Sequence, residues 1–102
     1  MSLLIRRLAN HPSIALWCGN NENEEGLAWY DEVKANRDKY VQDYINLYLN
    51  TIQKTLKKED PSRRFWPSSP SNGVDVWGHS NKSESGDAHY WGNYKLLIFR
   101  II

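Results

Sequence analysis

The stretch Ile14-Ala15-Leu16-Trp17-Cys18-Gly19-Asn20-Asn21-Glu22-Asn23-Glu24-Glu25-Gly26 (residues 14–26) sets an unbroken apolar run directly against three asparagines and three glutamates. The apolar part, Ile14 to Cys18, reads as a short strand, because a continuous apolar run is what a parallel strand covered on both faces presents. The polar part asks why a chain that has just built core turns at once to groups that are costly to bury. One answer is helix initiation. Asn20 or Asn21 would cap a helix whose first turn carries Glu24 and Glu25, complementing the helix dipole. The other is chemistry: Glu22 lies nearest the strand end, and a glutamate crowded there by other carboxylates and a tryptophan is suited to general-acid work. Spacing does not choose between them, and both can hold on different residues.

Working outward, Leu3, Leu4 and Leu8 fall at helical spacing, so residues 2–9 read as the end of an amphipathic helix. Asn10-His11-Pro12-Ser13 breaks it, since Pro12 disfavours helical geometry at His11. The clearest element runs from about Asp38 to Lys58. Val41, Tyr44, Ile45, Tyr48, Ile52 and Leu56 mark one face, and Lys39, Gln42, Asn46, Asn50, Gln53 and Lys57 mark the other. Asp60-Pro61-Ser62 stops it. Arg64-Phe65-Trp66 reads as a second strand, Pro67 to Gly73 as a loop, residues 74–87 as further loop, and Ala88 to Trp91 as a third strand. Alternation of helix and strand argues for an α/β protein with parallel βαβ units. In such folds functional groups gather where strands end and loops begin. Residues 19–25, 67–73 and 89–91 occupy those places.

Composition narrows the possibilities. A chain of 102 residues with net charge +1 has room for one small domain and no strong field for nucleic acid or an anionic membrane. The lone Cys18 excludes an internal disulfide framework, and His11, His79 and His89 match no zinc spacing. No apolar run approaches the ~20 residues of a membrane span, and Met1 to Ala9 lacks the pattern of a signal peptide. Five Trp and six Tyr are many, and Trp66, Trp77, Tyr90 and Trp91 stand in polar surroundings, which suits a surface that grips flat hydroxylated faces such as sugars.

Three motifs then carry a resemblance. "NHPSIALWCGNNENE", "FWPSSPSNG" and "GDAHYW" occur in the order found in glycoside hydrolase family 2, and the doubled asparagine resembles its β-mannosidase branch. The resemblance covers residues 1–92. It implies a fragment of a (β/α)8 TIM barrel, from about the end of helix 3 through strand 6, and a retaining mechanism with two carboxyl groups ~5–5.5 Å apart. Matched residue by residue, Trp17, Gly19, Asn20, Asn21 and Glu22 fall on the fourth-strand motif. Glu22 would be the acid/base, and Asn21 would contact the sugar 2-hydroxyl. Trp66 to Ser69 and His89 to Trp91 would belong to strands five and six, with Trp17, His89 and Trp91 as further substrate-binding residues. The substrate implied is a terminal β-mannoside on an oligosaccharide or glycan. No metal or other cofactor, nucleic acid or membrane partner is expected. Members of the family occur in periplasmic, secreted and lysosomal settings, and the sequence does not assign one.

The family's nucleophile, a glutamate at the end of the seventh strand, has no counterpart here. The match also ends near Gly92, and "NYKLLIFRII" (residues 93–102) reads as an unrelated tail produced by a frameshift or truncation. The isolated chain is therefore expected to be inactive. Two alternatives stand beside this reading: a β-galactosidase- or β-glucuronidase-type member of the same family, and a non-catalytic carbohydrate-binding module stacking sugars on Trp66, Trp77 and Trp91.

Overall fold

The computed structural model describes residues 1–90; Trp91 and the tail at 93–102 lie outside them. The elements are α1 (Ser2–Leu8), β1 (Leu16–Cys18), α2 (Asn23–Gly26), α3 (Asp31–Ala35), α4 (Arg37–Tyr44), a π-helical stretch (Ile45–Gln53), α5 (Lys54–Glu59) and β2 (Arg64–Trp66). β1 and β2 pair in parallel, with Leu16 opposite Arg64, Trp17 opposite Phe65 and Cys18 opposite Trp66. Parallel neighbours require a crossover, and the helices between Asn23 and Glu59 supply it, giving one βαβ unit.

The long helical rod departs from the expected stripe. Tyr44, Leu49 and Leu56 are the buried positions, whereas Val41, Ile45, Tyr48 and Ile52 are only half-buried. The cause is the π-helical stretch. Its i→i+5 bonding places Leu49, five residues on, beneath Tyr44 and rotates the inward face away from the simple 3.6-residue pattern. Thr51 Oγ1 donates to the Asn46 carbonyl, also five residues back, at 2.8 Å. The outer face carries a polar ladder: Gln42 Nε2 to Asn46 Oδ1 at 3.1 Å, Asn50 Nδ2 to the same oxygen at 3.2 Å, and Lys54 Nζ to Asn50 Oδ1 at 2.9 Å.

Three further expectations are corrected. In α1 the buried residue is Ile5, and Leu3 is 82% exposed; α1 packs on α5, and the contact is made on the side where the Arg6 guanidinium reaches Glu59 (Nη2 to Oε1, 3.0 Å). β1 is not covered on both faces: Leu16, 48% exposed, and Cys18, exposed, lie two residues apart on one face, while Trp17 on the other face is half-buried. Ala88–Tyr90 form no strand. The His89 N–H is given to the Asn81 side chain (2.6 Å) rather than to a neighbouring strand.

Asp60 ends the rod and anchors it. Its backbone leaves helical geometry (φ −145°, ψ 73°), as a residue before proline must. Its buried carboxylate accepts from Ser62 Oγ (2.7 Å), Trp17 Nε1 (2.9 Å) and Arg63 Nη1 (2.7 Å). The Ser62 hydroxyl first, then the Trp17 indole and Arg63, hold the Asp60 carboxyl down at about 2. Arg63 continues to the carbonyls of Ile14 and His11, tying the end of the helix to the chain entering β1.

Candidate active site

The site begins where β1 ends. The Gly19 N–H donates to the Trp66 carbonyl at 2.8 Å, and a Cβ on Gly19 would stand 2.3 Å from the Pro67 carbonyl oxygen. Only glycine lets the two backbones approach this closely. The pairing then runs on beyond the strands. Ser69 N–H donates to Asn20 O (3.0 Å) and Glu22 N–H to Ser69 O (2.8 Å), with Asn21 bridged to Ser69. Two loops are thereby locked side by side. Pro67, Ser68, Pro70 and Ser71 are completely buried, and the Ser69–Pro70 peptide is cis.

Helix initiation and the candidate acid meet on one residue, with Asn20 in support. Asn20 Oδ1 accepts from the Asn23 N–H at 2.9 Å and from Ser68 Oγ at 2.6 Å, while Asn20 Nδ2 donates to the Pro67 carbonyl at 2.9 Å. Asn20 thus takes up the first N–H of α2 from outside the helix, whereas the N-cap position itself falls on Glu22 and not on Asn20 or Asn21, with Glu24 and Glu25 in the first turn. Glu22 precedes the helix in the left-handed region, φ +63°. A non-glycine residue there costs about 1–3 kcal/mol unless its surroundings impose it. Here they do: its N–H is held by Ser69 O, and its own carbonyl accepts from Gly26 N–H at 2.8 Å.

The Glu22 side chain opens a connected series of hydrogen bonds. Glu22 Oε1 lies 2.8 Å from His89 Nδ1, with the two side chains 17% and 24% exposed. His89 Nε2 lies 2.9 Å from Ser69 Oγ, which bonds Asp87 Oδ2. Asp87 Oδ1 accepts from Trp66 Nε1 and the Ser71 N–H, both at 2.8 Å. Gly86 (φ +67°) makes this convergence possible, since a Cβ there would lie 1.9 Å from the Ser71 carbonyl oxygen.

Of the residues singled out in the sequence, Glu22 and His89 are thus brought into contact. Asn21 stands exposed beside them. Trp17 sends its indole N–H to Asp60, on the N-terminal side of β2 and away from Glu22. Trp91 lies outside the described residues. Ser69, Asp87 and Asn81 were not singled out. A signal for one of them was present: Asp87 and His89 are two apart in an extended segment, a spacing that puts side chains on one side of the chain.

Beneath the site lies a second carboxyl. Glu24 is buried, and its Oε2 accepts from Ser71 Oγ (2.9 Å) and Tyr44 OH (3.2 Å), while Oε1 has no partner among the described residues. Burial pushes the Glu24 carboxyl above the usual range; the Ser71 and Tyr44 bonds oppose this, and the nearby Asp87 charge adds to it. Burial, followed by the Glu24 charge, pushes the Tyr44 hydroxyl up in turn. Glu24 lines a shallow crevice with Tyr44, Leu49, Val76 and Trp77, where Trp77 meets Tyr44 edge-on at 5.7 Å between ring centres. Among the described residues, no group of three or more His, Cys, Asp or Glu side chains is disposed to hold a metal ion, and no helix is long and apolar enough to cross a membrane.

A glutamate held at the carboxyl end of a parallel strand, beside a histidine and a wall of hydroxyl and indole groups, has the parts of a proton-transfer site. The chain is 40% identical over 95 residues to β-mannosidase of Rattus norvegicus, an alignment covering 85% of this chain and 11% of that protein. It is 32% identical over 105 aligned positions to a Caenorhabditis elegans protein named "Probable beta-mannosidase" (95% of this chain, 12% of that one). It is also 39% identical over 75 residues to β-mannosidase A of Aspergillus flavus (71% and 8%). No protein-family profile matches. The chain is thus similar to one region of these β-mannosidases, and it spans about 8–12% of the length of the curated relatives it matches.

Proposed function

We propose that this chain is the acid/base-bearing segment of a retaining exo-β-mannosidase of glycoside hydrolase family 2, running from about the end of the third barrel helix to the sixth strand. In this reading Glu22 protonates the oxygen of the departing group and later takes a proton from the attacking water, as the acid/base of a retaining glycosidase does. Asn21, exposed beside it, is placed to meet the sugar 2-hydroxyl. The observation that carries the reading is the junction of β1 with its loop. The tight Gly19 contact and the Asn20 side-chain hydrogen bonds hold Glu22 in a strained backbone position with its carboxyl fixed against His89. Exposed Leu16 and Cys18 support the barrel, since they leave β1 a face for further strands and helices.

A second carboxylate is required for the retaining mechanism, and the near candidates are engaged elsewhere. Asp87 is saturated by Trp66, Ser69 and Ser71, and Glu24 is buried. The 102-residue chain alone is accordingly expected to show no turnover.

The test is a graft. The segment aligned with rat β-mannosidase replaces its counterpart there, and release of the aryl group from aryl β-mannosides and aryl β-galactosides is measured. The expected result is hydrolysis of the mannoside and little of the galactoside. Preference for the galactoside would transfer the proposal to another branch of the family. A well-folded but inert graft would remove it.

A further inference from the structure

The hydrogen bonds running from Trp66 to Glu22 have a direction, and that direction fixes where the protons lie. Asp87 as a carboxylate has only acceptors. Its Oδ1 is occupied by the Trp66 indole N–H and the Ser71 N–H. Its Oδ2 faces Ser69 Oγ, so the single hydroxyl proton of Ser69 must point to Asp87. Ser69 Oγ then has only lone pairs to offer His89 Nε2 at 2.9 Å, and Nε2 must bear the proton. In an imidazole the state of one nitrogen sets the role of the other. Nδ1 is left facing Glu22 Oε1 at 2.8 Å. A bare Nδ1 lone pair against a bare carboxylate oxygen is repulsive, so a contact this short requires a proton between them.

We infer that Asp87, acting through Ser69, fixes a proton on Nε2 of His89, so that His89 Nδ1 and Glu22 Oε1 share one further proton. His89, Ser69 and Asp87 are positioning residues. They hold the Glu22 carboxyl by Oε1 and leave Oε2, which has no hydrogen-bond partner among the described residues, to serve the sugar. The catalytic part rests on Glu22 being the acid/base; the placement of the protons does not.

The backbone also says what Asp87→Asn would do. The Trp66 and Ser71 donors keep an oxygen at the Oδ1 position, which forces the new NH2 group against Ser69 Oγ. Ser69 would then turn its own proton to His89 Nε2, and His89 would adopt the opposite tautomer, giving an Nδ1–H to Glu22. A purely structural Asp87 predicts no such exchange.

The experiment is long-range ¹H–¹⁵N correlation of the histidine rings in the 102-residue chain, with exposed His11 and His79 as internal references. Expected are a protonated Nε2 on His89 in the parent chain, an unprotonated Nε2 in Asp87→Asn, and loss of a fixed tautomer in Ser69→Ala. A bare Nε2 in the parent chain overturns the inference, as does a His89 ring averaged like His11 and His79; either result stands without any variant. An unchanged tautomer in Asp87→Asn also overturns it. If the ring signals behave as expected while Glu22→Gln in the rat-enzyme graft keeps full turnover, the proton relay stands and the glycosidase reading falls.

Discussion

Replacing Gly19 with alanine strikes the contact on which the site depends. The added Cβ would sit 2.3 Å from the Pro67 carbonyl oxygen and 3.1 Å from Phe65 Cζ. The end of the half-buried Phe65 ring can give slightly, but the Pro67 carbonyl cannot move freely, because it is backbone between two fully buried residues. Reaching an ordinary separation means moving one chain against the other by about 1 Å, which stretches Gly19 N–H to Trp66 O, Ser69 N–H to Asn20 O and Glu22 N–H to Ser69 O together. Overpacking of this kind costs about 1–3 kcal/mol, and each backbone bond weakened adds a fraction of its net ~0.5–1.5 kcal/mol. The expected destabilisation is about 2–4 kcal/mol. Gly26→Ala is the matched control: its Cβ would meet only Trp29, at 3.7 Å, and a helical Gly→Ala change is worth up to about 1 kcal/mol in favour of the fold. Urea denaturation of the two variants beside the parent chain reads both effects as shifts in midpoint. Equal stability of Gly19→Ala and the parent, or a larger loss in Gly26→Ala than in Gly19→Ala, would refute the close-approach explanation.

Two further expectations concern acid and base. The raised Glu24 carboxyl means that the folded chain holds a proton which the unfolded chain, titrating near ~4.3, releases. Stability should therefore fall as pH rises from about 4.3 through the folded value, and Glu24→Gln should flatten that slope in thermal melts taken across the window; an identical slope in the variant would contradict the assignment. Asp60 has the opposite sign, because its folded value is depressed to about 2. Its contribution is complete above the unfolded value of ~3.9 and is lost as pH falls through about 2. The gap in melting temperature between Asp60→Asn and the parent should close on acidification over that range, and a gap that stays constant would show that the carboxylate charge is not what Ser62, Trp17 and Arg63 recognise.

How much of this was legible in the sequence depended on whether local pattern or tertiary contact decided the outcome. The strand read at Ile14–Cys18, which the structure shortens to Leu16–Cys18, the rod ending at Asp60-Pro61 and the strand at Arg64–Trp66 were legible because apolar runs and helix breakers act locally. The inward turn at Leu49 was not, because a π-helical register is invisible to a search for 3.6-residue spacing. The burial of Ile5 instead of Leu3 was decided by α5, far along the chain. At the site, the crowding of Glu22 behind an apolar strand was visible, and so was a helix start just after it, although the cap falls on Glu22 rather than on Asn20 or Asn21. The link from Glu22 through His89 and Ser69 to Asp87 was not, since it needs two loops almost 50 residues apart to be locked by Gly19 and Gly86. Ala88 to Trp91 read as strand from composition, yet over the described part the His89 N–H goes to the Asn81 side chain instead of a neighbouring strand. The family's barrel and the unrelated tail at 93–102 remain expectations carried by the resemblance.

The most direct test of Glu22 as the proton donor is the leaving-group dependence of the rat-enzyme graft carrying Glu22→Gln. A general acid contributes about 10²–10⁴-fold, and it is needed most when the departing oxygen is basic. Hydrolysis of a β-mannoside with a poor leaving group should therefore fall by roughly that factor, while cleavage of an aryl β-mannoside whose phenolate departs unaided should be largely retained in its first, glycosylation step. Equal losses on both substrates, or full turnover on the poor one, would contradict Glu22 as the acid.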